Sequence, residues 1–238
     1  MYTFDSKVRY SEVNAAGKLS IHSIVNYFQD CSTFQSEELG VGVSAMQESH
    51  QAWVLNAWQI VLADPPSLCD EITIGTWASD FKGCYGYRNF LMQDRQGQPL
   101  AYANSIWVLV DTESGRPVKC PPELAAIYPM DPPYPMEQAP RKIKVPEIMT
   151  SLDSFPVTAS HIDTNHHVNN CAYVQMATDL LPEDFHYQQL RVEYRNSALP
   201  GETITPSIAI TDNCCTVVLE ADDGRVYAVL EFSTPTNR

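Results

Sequence analysis

The chain nearly repeats itself. Val8, Val13, Leu19 and Asp30 are matched 149 positions later by Val157, Ile162, Val168 and Asp179, with no gap needed. The element order repeats too. A first segment opens on a strand and continues into a helix from Ser20 to about Leu39, where Ile21, Ile24, Val25, Phe28 and Cys31 follow the i, i+3, i+4, i+7 rhythm of an amphipathic helix. Ser20 is placed to start that helix and Gly40 to end it. Four strand-like stretches follow, AWVLNAWQIVL, DEITIGTWASDF, YGYRNFLMQD and LAYANSIWVLVD, separated by the turn signals DPPS, FKGCYG, DRQGQP and TESGRP. The second segment repeats this with a strand over 157–162, a helix over 168–181 ended by Pro182, and strands YQQLRVEYRNSAL, ETITPSIAI, CCTVVLEAD and RVYAVLEFS, with DDGR as a hairpin turn. A duplicated unit of one helix and an antiparallel sheet defines an α+β fold, each sheet wrapped around its own helix.

Between the halves, PMDPPYPMEQAPRKIKVP carries six prolines and a short basic cluster. So much proline removes the amide donors a sheet needs, and the segment reads as an extended linker. With 44% hydrophobic residues the chain can bury a core, and a net charge of −14 argues against a nucleic-acid partner and against adsorption to an anionic membrane. MYTFDSKVRY lacks the apolar stretch of a secretory signal, and no apolar run approaches the roughly 20 residues of a membrane span. The seven cysteines form no C-x-x-C pair and read as small hydrophobic residues in a reducing cytoplasm.

One short stretch stands apart: HIDTNHHVNNCAY, from His161 to Tyr173. On the 149 register, Asp163, Asn165 and His167 fall where the first half has Asn14, Ala16 and Lys18, so only one half carries the polar set. The structural reading makes Asp163 or Asn165 a cap for a helix beginning near Val168. His161 is structural or exposed in that reading, and His166 points elsewhere. Tandem histidines without ligand partners at a convincing spacing give no metal site, and no cofactor is implied. The functional reading notes a carboxylate, an amide and an imidazole within five residues, just ahead of a helix N-terminus that can stabilise an oxyanion. That is the equipment of thioester hydrolysis, by an activated water or a carboxylate nucleophile. The absence of a G-x-S-x-G elbow weakens a serine-hydrolase reading.

DTNHHVNNCAY resembles the D-x-N-x-H-V-N-N-x-x-Y segment of acyl-acyl carrier protein thioesterases, plant and bacterial enzymes that release fatty acids. The resemblance extends to VRYSEVNAAGKLSIHSIVNYFQD, EITIGTWASDFKGCYGYRNFLMQD, ANSIWVLVDTESGRPVKCPPEL and VEYRNSALPGE. It implies two tandem hotdog domains: 1–128, expected to hold the acyl-chain pocket; a Pro-rich linker over 129–150; and 151–238 with the catalytic motif. It implies Asp163, Asn165 and His167 as the catalytic set, and as partner an acyl carrier protein bearing a fatty acyl chain, without nucleic acid or membrane; a homodimer is allowed for. Trp53, Trp58, Trp77 and Trp107 are candidates to line the pocket, although large aromatics on strands are more often core. Arg141, Lys142, Lys144, Lys82 and Arg88 are candidates for a local basic patch facing the acidic carrier. One departure matters. Plant members resemble E-Y-R-R-E-C where this chain has EYRNSA, so Ser197 and Ala198 replace the Glu and Cys implicated in catalysis. Two rival readings are an acyl-CoA thioesterase of the hotdog kind and an acyl-binding protein impaired in turnover.

Overall fold

A computed structural model of the chain describes residues 1–234; the last four residues of the domain expected to end at 238 lie outside them. The apolar rhythm after Ser20 produces helix α1, Ile21–Glu38, whose Ile24, Val25, Phe28 and Cys31 are fully buried. Gly40 ends it as expected, for a definable reason. Its φ of +73° lets the Gly40 and Val41 N–H groups turn back to the Glu37 and Ser36 carbonyls (3.0 and 2.9 Å), satisfying the last turn.

The chain divides into two compact units, one of residues 1–56 and 62–137 and one of residues 57–61 and 138–238. In the first unit the elements are β1 (Tyr2–Lys7), α1, a short helix α2 (Val43–Glu48), β2 (Gln51–Leu62), β3 (Glu71–Lys82), β4 (Tyr85–Gln93), β5 (Pro99–Asp111), β6 (Arg116–Pro117) and helix α3 (Pro122–Ile127). The strands run β1-β3-β4-β5-β2, with β6 paired to β5. Helix α1 lies against β1 and β3, with Phe28 stacked on Phe90 of β4 at 5.2 Å. The four strand-like stretches of the first half all form strands. Helices α2 and α3 were not anticipated: each is six residues long, too short for periodicity to reveal.

The second unit takes the Ala57–Val61 stretch of β2 together with β7 (Thr150–Ser151), β8 (Phe155–Pro156), helix α4 (Asn170–Thr178), β9 (Gln189–Tyr194), β10 (Thr203–Ile210), β11 (Cys214–Glu220) and β12 (Val226–Ser233). Its strands run β2-β9-β12-β11-β10-β7, antiparallel throughout, and α4 lies against β11 and β12. Two expectations are corrected here. The stretch 157–162 is not a strand: β8 ends at Pro156 and a 3-10 turn occupies Ala159–His161. The second helix covers Asn170–Thr178, not 168–181, because its start is set by a cap at Asn169.

Each unit is therefore a sheet with one principal helix, and the 149-residue register holds bond by bond. The 3-10 turns Tyr10–Glu12 and Ala159–His161 correspond, and in each a side chain reaches back to the same amide. Arg9 N–H donates to Glu12 Oε2 (2.8 Å), and Thr158 N–H to His161 Nδ1 (3.1 Å). Ser20 and Asn169, the first residues before the two helices, donate their N–H to the carbonyls of Glu12 and His161 (3.0 and 2.8 Å). Val8 and Val157 each donate to a carbonyl just before the next strand pair, Asp70 at 2.9 Å and Glu202 at 2.8 Å.

The Pro-rich segment, mostly exposed, forms no helix and no strand before β7 and is held to the sheets at a few points. Trp77 Nε1–H donates to the Pro132 carbonyl (2.9 Å) and Tyr134 stacks on Tyr102 (4.8 Å) in the first unit. In the second, Arg191 donates to the carbonyls of Pro140 and Lys142, and Ile143, 4% exposed, is seated against Val218 and Val229. The Ile143 N–H reaches Glu193 Oε2 (3.0 Å), which also pairs with Arg195 (3.2 Å). Burial pushes the Glu193 carboxyl up, but Arg195, the Ile143 amide and Arg141 outweigh it and hold the group below the usual glutamate range. A carboxyl with a depressed folded pKa stabilises the fold above its unfolded pKa and loses that contribution as pH falls through the folded value. Glu193→Gln is expected to lower the thermal midpoint at pH 7, with the gap to wild type closing as pH falls below about 4. A gap that does not change between pH 7 and pH 3 contradicts this role.

Candidate active site

Asp163, Asn165 and His167 sit on one tight hairpin. Ile162 and Val168 form its closing bridge, Asp163 N–H donates to the His167 carbonyl (2.9 Å), and His166 N–H donates to the Asp163 carbonyl (3.0 Å). Such a loop needs a left-handed residue at its fourth position, and His166 supplies it at φ +61°. The first half builds the same hairpin: Val13 bridges Leu19, Asn14 N–H donates to Lys18 (2.8 Å), Gly17 N–H donates to Asn14 (2.9 Å), and Gly17 holds φ +72°. The two loops share backbone geometry and differ in what they display.

Asp163 serves the loop as well as displaying a carboxylate. Its Oδ1 accepts the Asn165 N–H at 2.8 Å, an Asx turn that fixes the backbone of the amide-bearing residue. In the first half Asn14 Oδ1 does the same for Ala16 (3.0 Å) and Lys18 (3.1 Å). Asp163 is half-buried; Asn165 and His167 are exposed, and their side chains make no hydrogen bond to one another. They are brought together on one loop and left open to whatever docks there.

The hairpin does not cap helix α4. Asn169 does: its Oδ1 accepts the Cys171 N–H at 2.8 Å. The expectation that Asp163 or Asn165 caps a helix beginning near Val168 is thereby corrected. The signal for Asn169 was legible in the register, which sets it opposite Ser20. His161 is half-buried with Nδ1 accepting from Thr158, so its neutral ring carries the proton on Nε2; His166 is exposed.

The segment 195–199 flanks the hairpin. Ala198 is fully buried, its carbonyl accepts the Val168 N–H (3.0 Å), and its N–H donates to the Tyr173 hydroxyl (2.8 Å). Ser197 is exposed beside it. Leu199 N–H and the Tyr227 hydroxyl both donate to Glu202 Oε2 (2.7 and 2.9 Å), and Arg225 pairs with Glu202 Oε1 at 2.7 Å. Below lies a column of aromatic rings, Tyr194, Tyr173 and Tyr227, with centroids 6.0 and 6.4 Å apart. Burial pushes the Tyr173 hydroxyl up to about 12; the Ala198 amide works against this, and Tyr227, Glu202 and Asp163 add to it, so it remains a neutral hydroxyl at working pH.

Two surface cavities lie in the first unit away from the three residues. One, of about 110 Å³, lies against Phe4, Glu12 and Asp30. The other, of about 320 Å³, lies beside Lys18, Pro66 and Arg95, at the first-half counterpart of the polar hairpin. The four tryptophans behave as framework: Trp58 and Trp77 are buried, Trp107 Nε1–H bonds Ser105 (2.8 Å), and Trp53 packs on Phe81. Arg88 is corrected as a contributor to a surface patch. It is buried, donating to Gln35 and Thr76 beneath the Tyr128 ring, and burial lowers its pKa. Lys82, Arg141, Lys142 and Lys144 are exposed. No helix among the described residues is long and apolar enough to cross a membrane.

A repeated helix-and-sheet unit defines a double hotdog fold. The chain belongs to the acyl-ACP thioesterase family: residues 1–128 match its N-terminal domain and residues 147–229 its C-terminal domain. A palmitoyl-acyl carrier protein thioesterase of Gossypium hirsutum chloroplasts is 26% identical over 94% of this chain and 61% of its own length. The chain thus spans about three fifths or less of the curated relatives just named and of its Cuphea viscosissima homologues. In fold it is similar to an acyl-ACP thioesterase of Bacteroides thetaiotaomicron (TM-score 0.89, 22% identity, 97% and 96% of the two chains). It is also similar to the 12:0-ACP thioesterase of Umbellularia californica (TM-score 0.84, 17% identity, 98% and 97%).

The positive φ at His166 yields a test of the hairpin's geometry. His166→Gly should raise stability by up to about 1 kcal/mol, as left-handed backbone is relieved of a side chain; a lowered thermal midpoint would contradict the left-handed placement.

Proposed function

We propose that the chain hydrolyses the thioester of fatty acyl-acyl carrier protein and releases free fatty acid, with Asp163, Asn165 and His167 as the reacting set. The observation that carries this reading is the contrast between two otherwise equivalent hairpins: only the one in the C-terminal half displays a carboxylate, an amide and an imidazole. Family membership supports the substrate class, and this reading keeps the acyl pocket in residues 1–128 and the catalytic motif in 151–238.

The chemistry follows from the groups. His167 takes a proton from water as its oxygen adds to the thioester carbonyl, and the Asn165 amide donates to the oxygen on which charge develops. Collapse breaks the C–S bond; the departing thiolate, a good leaving group because its thiol is acidic at about pKa 8.5, takes up the proton from the imidazolium. The carboxylic acid so formed loses its proton to solvent and leaves as carboxylate. Asp163 fixes Asn165 through its backbone amide and offers negative charge to the imidazolium. Water attack is preferred over attack by Asp163 because that carboxylate is half-buried and already engaged by an amide, whereas His167 is open. Ser197 and Ala198 provide neither a thiol nor a carboxylate, so the reaction is carried without them. Seven free cysteines suit a reducing cytoplasmic setting.

Three measurements test this. Purified protein should release fatty acid from acyl-acyl carrier protein faster than from the matched acyl-CoA; the reverse order would favour the acyl-CoA reading, and no release at all the acyl-binding one. Asp163→Ala and His167→Ala should each lower kcat by about 100-fold or more, the scale of a lost general base. In a single turnover in H₂¹⁸O the released acid should carry the heavy isotope; unlabelled acid would indicate attack by Asp163.

A further inference from the structure

The peptide of Ala198 is held differently in the two halves. In the second half its carbonyl accepts the N–H of Val168, the residue directly after His167, and its own N–H goes to the hydroxyl of Tyr173. The first half keeps the scaffold part of this arrangement. Leu19 N–H donates to the Pro66 carbonyl (2.8 Å), and Ser67 N–H to Asp70 Oδ2 (2.8 Å), as Leu199 N–H does to Glu202. The third bond is missing there because both of its partners are changed. Pro66, opposite Ala198, has no N–H, and Ile24, opposite Tyr173 on the 149 register, has no acceptor and is fully buried.

A matched donor and acceptor have thus been exchanged together for a proline and an aliphatic residue, each apolar where the other half is polar. The hairpin forms in both settings, so the Tyr173–Ala198 bond is not required to build it. It occurs in the half that carries Asp163, Asn165 and His167. The first half stiffens the same peptide with the Pro65–Pro66 pair, whose rings fix φ. In the second half Asn196 is held by the Val226 and Tyr227 carbonyls, whereas Ala198 has no proline ring and Tyr173 restrains it from helix α4.

We propose that Tyr173 is a positioning residue for the thioester hydrolysis assigned above. Its hydroxyl locks the Ala198 peptide, and the Ala198 carbonyl in turn locks the Val168 amide, fixing the backbone from which the His167 imidazole projects. The inference rests on the proposed function, because it concerns the placement of that reaction's base. Displacing a catalytic group by about 1 Å is worth on the order of 100-fold in rate, so a single bond two links away is enough to matter.

The test is Tyr173→Phe in the full chain, which keeps the ring between Tyr194 and Tyr227 and removes only the hydroxyl. At a temperature where the variant is fully folded, kcat should fall about tenfold or more with KM changed less than about twofold, in the manner of lost orientation. Tyr194→Phe, which removes the neighbouring hydroxyl from the Asn170 carbonyl (2.9 Å), is the control and should leave kcat within about twofold of wild type. Adding Ala198→Pro to Tyr173→Phe removes the orphaned amide and restores a stiff peptide as at Pro66; it should recover most of the lost kcat. Tyr173→Phe that lowers the thermal midpoint but leaves kcat unchanged overturns the positioning role alone. Equal losses of kcat in Tyr173→Phe and Tyr194→Phe, with no recovery by the proline, also overturn it. Wild-type protein that releases no fatty acid overturns the functional reading, and this inference with it.

Discussion

A pair of backbone hydrogen bonds closes the five-residue loop from Asp163 to His167, and a third, from Val168 to Ala198, ties it to the segment after β9. Everything chemically distinctive about the chain hangs from that loop. Because the bonds are made by the main chain, they are indifferent to side-chain identity as long as one residue tolerates a positive φ and one short polar side chain closes the Asx turn. The first half meets those conditions with Gly17 and Asn14, the second with His166 and Asp163. Duplication therefore supplied a rigid display platform twice, and the chain equipped one copy.

The equipped copy differs from its sibling in a consistent direction. Where the first half has Lys18, Pro66 and Ile24, the second has His167, Ala198 and Tyr173. The exchanges bring in an imidazole at His167, a backbone N–H at Ala198 that proline lacks, and a hydroxyl at Tyr173 that accepts it. His166 in a left-handed conformation costs about 1–2 kcal/mol relative to glycine, a strain it shares with His50 and Cys69 in the first half. The remainder of the second unit is held by further contacts: the three tyrosines of the aromatic column, the Glu202 carboxylate shared by Leu199, Tyr227 and Arg225, and the segment anchored at Ile143.

Much of this was legible before any coordinates. Helix α1 and the eight long strand stretches are periodic over enough residues for burial to dominate, and the 149 register located the polar hairpin opposite a plain one. What escaped is local or tertiary. The 3-10 turn at Ala159–His161 replaced an expected strand because His161 reaches back to Thr158, a bond that no hydrophobic pattern encodes. Helix α4 began later than expected because Asn169, not Asp163 or Asn165, offers its oxygen to the first turn. The contacts of the Pro-rich segment with Arg191, Glu193 and Trp77 could not be read from the sequence because those partners lie far off along the chain. Arg88 looked like a surface cation for the same reason: its neighbours Gln35, Thr76 and Tyr128 come from three different elements.

The account is tested most directly by a crystal structure with an acyl-pantetheine analogue in which a methylene group replaces the thioester sulfur, leaving the carbonyl in place but unable to be cleaved. The carbonyl oxygen should lie within hydrogen-bond reach of the Asn165 amide, with a water held between the carbonyl carbon and the His167 imidazole. A carbonyl seated against Lys18 and Pro66 instead, or one remote from both hairpins, would contradict the claim that the second copy of a duplicated loop is where the thioester is broken.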